Sequence, residues 1–237
     1  MKKSQLHRLS RLSVLFLLIA TTAICAAKKG YLSQYKGAPY QDSHYQAGAQ
    51  KIPGKVLCAY YDLGGEGVAY HDSDAVNHGS GALNPANGSY LNEFRMNEGV
   101  DISYTKFGLD PQIDDTHYNR VQPPAGLLYV GWTVPGEWFN ITVDAAQAGE
   151  YSADLLYTSN RGGTISLDVN GEPATGPLII ASTYDAADPV AWRKWHHWNV
   201  ASNLVQLRLS KGKNVLTVHI LTEGQMNLAT LEFRKKD

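Results

Sequence analysis

The sequence has little cysteine and no excess of positive charge. Its 237 residues include 2 cysteines, one of them, Cys25, inside an apolar leader. Removal of the leader leaves Cys58 alone, so no intramolecular disulfide can form and stability must come from the packed core. The net charge of −1 excludes a strong nucleic-acid binder, because the neutralisation of phosphates requires a basic face.

Long apolar runs are absent beyond the first 30 residues, which argues against a later membrane span. Near the start, basic residues precede an apolar run that ends in small residues, a layout typical of a secretory signal peptide over residues 1–27. The alternative, a membrane anchor, needs a longer apolar run of about 20 residues. We therefore expect a protein that is secreted, periplasmic or held at the cell surface.

Two further segments follow the leader. Residues 28–51 show neither a helical nor a strand period, and we interpret them as a tether. Residues 52–237 contain short runs of alternating apolar and polar side chains, with turn residues every eight to twelve positions. The run Val205 to Leu209 is one example, and Asn170-Gly171 is a typical hairpin turn. This pattern predicts an all-β domain, an antiparallel sandwich.

Motifs of catalysis and metal binding are scarce. No GxSxG, HExxH, CxxC or phosphate-binding loop occurs in the sequence. Cys58 lies within a predicted strand, Val56–Tyr61, and is expected to be a buried, unreactive thiol. His196 and His197 are neighbours on a strand-like run, so they would point to opposite faces and could not easily share one ion.

Tryptophan is the notable feature, because all 5 tryptophans lie between residues 132 and 198. Trp138, Trp195 and Trp198 are expected in the core. Trp192 follows a loop-like Asp-Pro segment, and Trp132 ends a predicted strand, so these two are the candidates for exposure. An exposed flat ring offers an apolar platform for the C–H face of a sugar, whose hydroxyls then need polar groups at the rim.

Several segments, in order, resemble family 6 carbohydrate-binding modules. They are residues 62–72, 130–138, 148–151, 162–165, 192–195, 211–216, 224–228 and 231–233. The resemblance covers residues 52–234, nearly all of the chain after the leader. It implies a galactose-binding-like jelly roll of two antiparallel sheets. It also implies a non-catalytic module that binds polysaccharide or oligosaccharide, as accessory modules of glycoside hydrolases do.

The resemblance also assigns a ligand site. Two aromatic rings would enclose a sugar, and these positions fall on Trp132 and Trp192. An amide that bonds sugar hydroxyls would be Asn227. A further polar wall would come from the first long loop, at Tyr70, His71 and Asp72.

The family's structural calcium is not expected to be held well here. Members usually start the first strand with two carboxylates, but this chain has Leu57 and Ala59 at those positions. Calcium needs six to eight oxygen ligands, several of them charged. We therefore expect no cofactor, and structural calcium that is absent or weakly held.

Two alternatives stay open at this point. A small glycoside hydrolase or lyase could use the same sandwich, with Asp72 or Glu137 as a candidate carboxylate, because jelly rolls also host catalysis. An adhesion module whose aromatic site has decayed is the other.

Overall fold

A computed structural model describes residues 30–236, so the predicted signal peptide of residues 1–27 lies outside the described residues. Two compact units divide the chain after Tyr35, and the strands given below belong to the second unit, which begins at Lys36. Within the described part of the chain, no helix has the length and apolar character needed to cross a bilayer.

The second unit consists mostly of strands. The first seven are β1 (Gln50–Ile52), β2 (Gly54–Leu57), β3 (Tyr70–His71), β4 (Ser80–Gly81), β5 (Asn84–Pro85), β6 (Ile102–Tyr104) and β7 (Leu128–Val130). The next eight are β8 (Trp138–Ala145), β9 (Gly149–Ser159), β10 (Gly163–Val169), β11 (Glu172–Pro173), β12 (Leu178–Ile180), β13 (Asn199–Leu209), β14 (Gly212–Thr222) and β15 (Met226–Lys235). A 3-10 helix covers Cys58–Tyr60, and one turn of α-helix, α1, covers Tyr90–Glu93.

Two large sheets share one core. The first has the order β1-β8-β14-β10-β11, with β3 beside β8 and β12 beside β10. The second has the order β13-β9-β15-β7-β6, with β2 beside β15. A single core cluster contains side chains of both sheets, including Ile141, Leu167, Leu216, Leu155, Leu207 and Phe233. The predicted all-β sandwich is therefore confirmed, with β1 on β8 as a parallel pairing.

The alternation in the sequence explains which side chains enter this core. Val205, Leu207 and Leu209 of β13 are buried, while the polar residues between them are exposed. Burial of each such side chain contributes roughly 1.5–3 kcal/mol. The predicted hairpin turn joins β10 to β11, with φ of 53° at Asn170 and 77° at Gly171. Left-handed backbone at both turn positions suits Asn-Gly.

The segment that precedes the sandwich differs from the tether predicted over residues 28–51. Tyr40 is buried in the core, and its ring stacks on those of Tyr45 and Tyr60. Strand β1 extends the first sheet. These tyrosines carry no strand period because they form an aromatic cluster rather than a face of a sheet. The domain thus begins before residue 52.

Cys58 lies where strand β2 has already ended, so the predicted strand Val56–Tyr61 is shorter than expected. The thiol is fully buried, and burial raises its pKa to about 12. A thiol that stays protonated is a poor nucleophile. The prediction of a buried cysteine is confirmed, and its low reactivity stays a prediction.

Candidate functional site

A pocket of about 680 Å³ lies over the outer face of strands β6 and β7. Ile102 and Leu128 point into the core of the sandwich. Alternation along each strand therefore turns Ser103 and Tyr129, which are register partners, to the opposite face. Both side chains line the pocket, and the long loops around them supply the other walls.

Four aromatic side chains line this pocket: Tyr129, Trp132, Trp192 and Trp195. Trp192 is 52% exposed, as its position in a loop predicts, and Trp132 is half-buried. The prediction that Trp195 belongs to the core is wrong, because its segment is a turn rather than a strand and leaves the ring half-buried at the pocket wall. Trp198 is fully buried, as predicted.

Trp132 adopts a backbone conformation that few tryptophans adopt. Its φ is 45°, in the left-handed region, two residues after the end of β7. The Trp132 N–H donates to Asn227 Oδ1 at 3.2 Å, which fixes the backbone at this position. A Cβ at Gly131 would lie 3.0 Å from the same oxygen, so glycine lets the strand end approach the amide. The backbone therefore fixes the position of Trp132 at the pocket before a ligand binds.

Asn227 lies beneath the pocket and does not line it. The side chain is fully buried, and its Nδ2 donates to Thr158 Oγ1 at 2.8 Å and to His196 Nδ1 at 2.9 Å. Both Nδ2 protons are therefore donated within the protein, and Oδ1 accepts from the Trp132 N–H, so this buried amide has no group free to bond a sugar hydroxyl. The expectation that Asn227 bonds the ligand is therefore corrected: this amide joins His196 to the backbone that carries Trp132.

A buried carboxylate anchors the same network. Asp114 Oδ1 accepts from Trp198 Nε1 at 2.6 Å and from His196 Nε2 at 2.7 Å, while Oδ2 accepts from the backbone N–H of Lys106 at 2.7 Å. Because His196 Nδ1 accepts from Asn227, the imidazole carries its proton on Nε2. Hydrogen bonds therefore connect Asp114 to His196, His196 to Asn227, and Asn227 to the backbone of Trp132. No sequence motif marks it, since Asp114 and His196 are 82 residues apart.

A second buried carboxylate, Asp188, stabilises the loop that presents Trp192. Arg193 Nε and Nη2 bind the two oxygens of Asp188 at 2.7 and 2.8 Å, and His197 Nε2 lies 2.8 Å from Asp188 Oδ2. Burial alone raises the pKa of this carboxyl, but the hydrogen bonds from Arg193 and His197 lower it below its ordinary value. His196 and His197 contact different carboxylates, as expected of neighbours that point apart.

The rest of the pocket lining consists of two aliphatic and four polar side chains: Leu83, Ile113, Ser103, Lys106, His196 and Gln225. Gln225 Oε1 accepts from Asn160 Nδ2 at 2.6 Å, an arrangement that orients the amide at the rim. No Asp or Glu of residues 30–236 is part of the lining. The sequence gives no sign of Ser103, Lys106, Tyr129 or Gln225, because the residues meet only through the fold.

Tyr70, His71 and Asp72 were expected to form a polar wall of the ligand site, and the structure corrects this. None of the three lines the aromatic pocket. Tyr70 is buried on β3, and its hydroxyl accepts from the Gly99 N–H at 3.3 Å. His71 is exposed and forms an ion pair with Glu66. The strand β3 pairs with β8 in the first sheet, whereas the pocket lies over the second sheet.

His71 and Asp72 instead belong to an acidic patch, whose members are Glu66, His71, Asp72, Asp74, His78, Asp101 and Glu137. Burial, together with the carboxylates of Glu137, Asp101 and Asp74, raises the pKa of the Asp72 carboxyl to about 7, against the lowering effect of one hydrogen bond from the Asp74 N–H. Trp138, predicted in the core, is half-buried beside this patch, with its ring 6.5 Å from that of His71.

Metal ligands are not clustered in the described part of the chain. Among residues 30–236, no group of three or more His, Cys, Asp or Glu side chains could hold a metal ion. Leu57 ends β2 and Ala59 is buried in the 3-10 helix, so neither position offers a side-chain oxygen.

No protein-family model matches this chain, and a comparison with curated proteins finds no match either. Solved structures of carbohydrate-binding modules from families 6 and 35 are similar to it. One is a family 6 module of Clostridium stercorarium in complex with cellobiose, with a TM-score of 0.46 and 11% identity, covering 80% of this chain and 99% of that one.

Two further structures cover about half of this chain. A family 6 module of Cellvibrio mixtus lichenase 5A, in complex with cellotriose, has a TM-score of 0.38 and 20% identity over 53% of this chain and 84% of that one. A family 35 module of Clostridium thermocellum has a TM-score of 0.38 and 18% identity over 50% and 84%. At such low similarity, function has to be derived from the site.

Proposed function

We propose that this protein is a non-catalytic carbohydrate-binding protein, related to family 6 modules, whose ligand packs on Trp132 and Trp192 in the aromatic pocket. The observation that carries the proposal is the exposure of Trp192, 52% of whose surface faces solvent at the mouth of a pocket with three other aromatic rings. An exposed tryptophan at a concave apolar surface is typical of a ligand site.

The chemistry of the lining fits a saccharide. Flat indole rings pack on the C–H faces of sugar rings, and each aromatic contact contributes roughly 0.5–1.5 kcal/mol beyond the burial of its area. Around the rings, the Lys106 ammonium and the Gln225 amide supply donors and acceptors for sugar hydroxyls.

The supports of the rings favour a pre-formed site. Trp132 is held by the Asn227 amide, and the neighbour of Trp192 is held by Asp188, so little ordering accompanies binding. Such a small site nevertheless binds weakly, with a Kd on the order of micromolar to millimolar.

The same lining supports binding rather than hydrolysis. Glycosidases use two carboxyl groups placed on either side of the scissile bond. Within residues 30–236 no carboxyl group is part of the pocket wall, and the nearby Asp114 is buried with three donors. Secretion, directed by the leader over residues 1–27, belongs to the same proposal.

Isothermal titration calorimetry of the full chain against soluble xylans, β-glucans, mannans, galactans and polyuronates tests the proposal. We expect saturable binding to at least one class, weakened about tenfold or more by Trp192→Ala. Tyr184→Ala is the matched control, because Tyr184 is 50% exposed but does not line the pocket. Equal binding by folded Trp192→Ala and wild type would contradict the assignment of the site.

A further inference from the structure

Lys106 places a cation in the wall of the aromatic pocket. Its side chain is half-buried, with Nζ 4.6 Å from the centroid of the Tyr104 ring and 3.4 Å from Ser103 Oγ. The ring contact is a cation–π interaction, and the contact with the hydroxyl is long for a hydrogen bond. Both contacts orient the ammonium without neutralising its charge.

No carboxylate among residues 30–236 forms an ion pair with Lys106, and none lines the pocket. Most other buried cations of the described chain do have such a partner: Arg95 binds Glu98, and Arg193 binds Asp188. The carboxylate of Asp114 lies nearby, but its oxygens accept from one backbone N–H and two rings. Lys106 therefore has no ion-pair partner in direct contact, and the charge of Asp114 acts on it only from a distance.

Burial makes this arrangement unfavourable for the protein alone. Loss of water lowers the pKa of Lys106, and the negative charge of Asp114 offsets part of that effect. A charge in an apolar pocket interacts strongly with an opposite charge brought to it, because little water remains to screen the pair. A ligand anion would supply a counter-charge in direct contact with the ammonium.

We propose that the saccharide bound in this pocket carries an anionic group, a uronate carboxylate or a sulfate ester, that pairs with Lys106 Nζ. This inference rests on the proposed function, since Trp132 and Trp192 would hold the sugar ring. The rings provide affinity for saccharides in general, and Lys106 selects the charged ones. A neutral glycan would leave the ammonium desolvated and unpaired, so its binding would be weaker.

Calorimetry with matched ligand pairs tests the inference on the full chain. One pair is an oligogalacturonate and its methyl ester; the other is a sulfated galactan oligomer and its desulfated form. We expect the anionic member of one pair to bind about tenfold tighter than its neutral partner, and the pair that responds distinguishes carboxylate from sulfate. Added salt should reduce this preference.

Variants separate the charge from the rest of the side chain. Lys106→Met keeps most of the apolar stem and should abolish the preference, so that the anionic and neutral members of a pair bind with equal affinity. Lys106→Arg should retain the preference, and Lys55→Met, which alters an exposed lysine of β2 outside the pocket, should behave as wild type.

Two results would overturn the inference in distinguishable ways. If glycans bind in a Trp192-dependent manner but neutral members bind as tightly as anionic ones, and Lys106→Met is indistinguishable from wild type, the anion preference is wrong and the binding site stands. If no glycan binds in a manner that depends on Trp192, the proposed function and the inference both fail.

Discussion

Two groups of acidic side chains in this sandwich have opposite environments. Asp114, under the aromatic pocket, is fully buried and accepts from two rings and one backbone N–H. Asp72, in the acidic patch, is half-buried among other carboxylates, and burial with their repulsion raises its pKa to about 7. Three hydrogen-bond donors therefore stabilise the Asp114 carboxylate, whereas the Asp72 carboxylate accepts only from the Asp74 N–H.

The difference shows where the fold is rigid. A satisfied buried network fixes its members in one arrangement, so the pocket floor can hold Trp132 in a left-handed conformation. Like charges at a half-exposed patch instead lower stability near neutral pH. The pocket thus has a fixed arrangement of rings, while the stability of the acidic patch depends on protonation.

Removal of the Asp114 carboxylate should have the largest effect on this comparison. Asp114→Ala leaves three buried donors unpaired, and we expect a loss of roughly 3–5 kcal/mol in the free energy of unfolding. Urea denaturation measures this loss. Glu232→Ala, at an exposed site on β15, should stay within about 0.5 kcal/mol of wild type. A loss below about 1 kcal/mol for Asp114→Ala would mean that the pocket floor is not a stabilising network.

Asn227→Ala should have the next largest effect. The variant leaves the Trp132 N–H, Thr158 Oγ1 and His196 Nδ1 without their partner, at a cost of about 1–3 kcal/mol. We also expect weaker glycan binding, because Trp132 loses its support. Unchanged stability together with lost binding would show instead that Asn227 contacts the ligand directly, as the family resemblance implies.

A smaller effect, and of opposite sign, is expected for the acidic patch. The folded protein keeps the Asp72 proton up to about pH 7, whereas the unfolded chain releases it near pH 4. The folded state thus binds more protons between these values, and this group lowers stability as the pH rises through that window. Asp72→Asn keeps an oxygen for the Asp74 N–H and should gain about 1 kcal/mol at pH 8, after allowance for solvent screening, with no gain at pH 4.

Thermal unfolding of Asp72→Asn and wild type across this pH range measures the effect. Equal stability of the two proteins at pH 8 would show that the ionised Asp72 carboxylate does not destabilise the fold. Release of reducing sugar by the wild type that disappears in Asp72→Asn would reveal a catalytic carboxylate and contradict a purely binding role.

The smallest effect is expected from a chelator. If the acidic patch held calcium, its removal would expose the repulsion among the carboxylates and lower Tm. Because Leu57 and Ala59 offer no ligands, we propose that EDTA lowers Tm by less than about 5 °C. Magnesium chloride added back in excess of EDTA controls for ionic strength, and a larger drop restored by calcium alone would contradict the proposal.

The strands could be predicted from the sequence because their information is local. Alternation in Val205 to Leu209 marks one face of β13, and Asn170-Gly171 marks a hairpin turn by its backbone preference. Exposure of Trp192 was predictable for a similar reason, since a loop signature precedes it. The aromatic tyrosines before β1 lack such a period, and their packing could not be read from spacing.

The pocket could be predicted only in part, because its members meet across the sheet. Trp132 and Trp192 were predicted, but Asp114, His196 and Lys106 come from loops without a period. Asn227 was assigned to the ligand through the resemblance, although its amide is used inside the protein. Which polar groups remain free for a ligand depends on hydrogen bonds that spacing does not specify.

The NMR resonances of the tryptophan side chains test most directly whether the ligand binds in the aromatic pocket. The chain has 5 tryptophans, and each indole N–H gives one peak in a ¹H–¹⁵N spectrum that single substitutions can assign. On titration with the glycan that binds in calorimetry, we expect shifts at Trp132, Trp192 and Trp195, and almost none at Trp138 or Trp198. Shifts confined to Trp138, beside the acidic patch, would place the ligand on the other sheet and contradict the account.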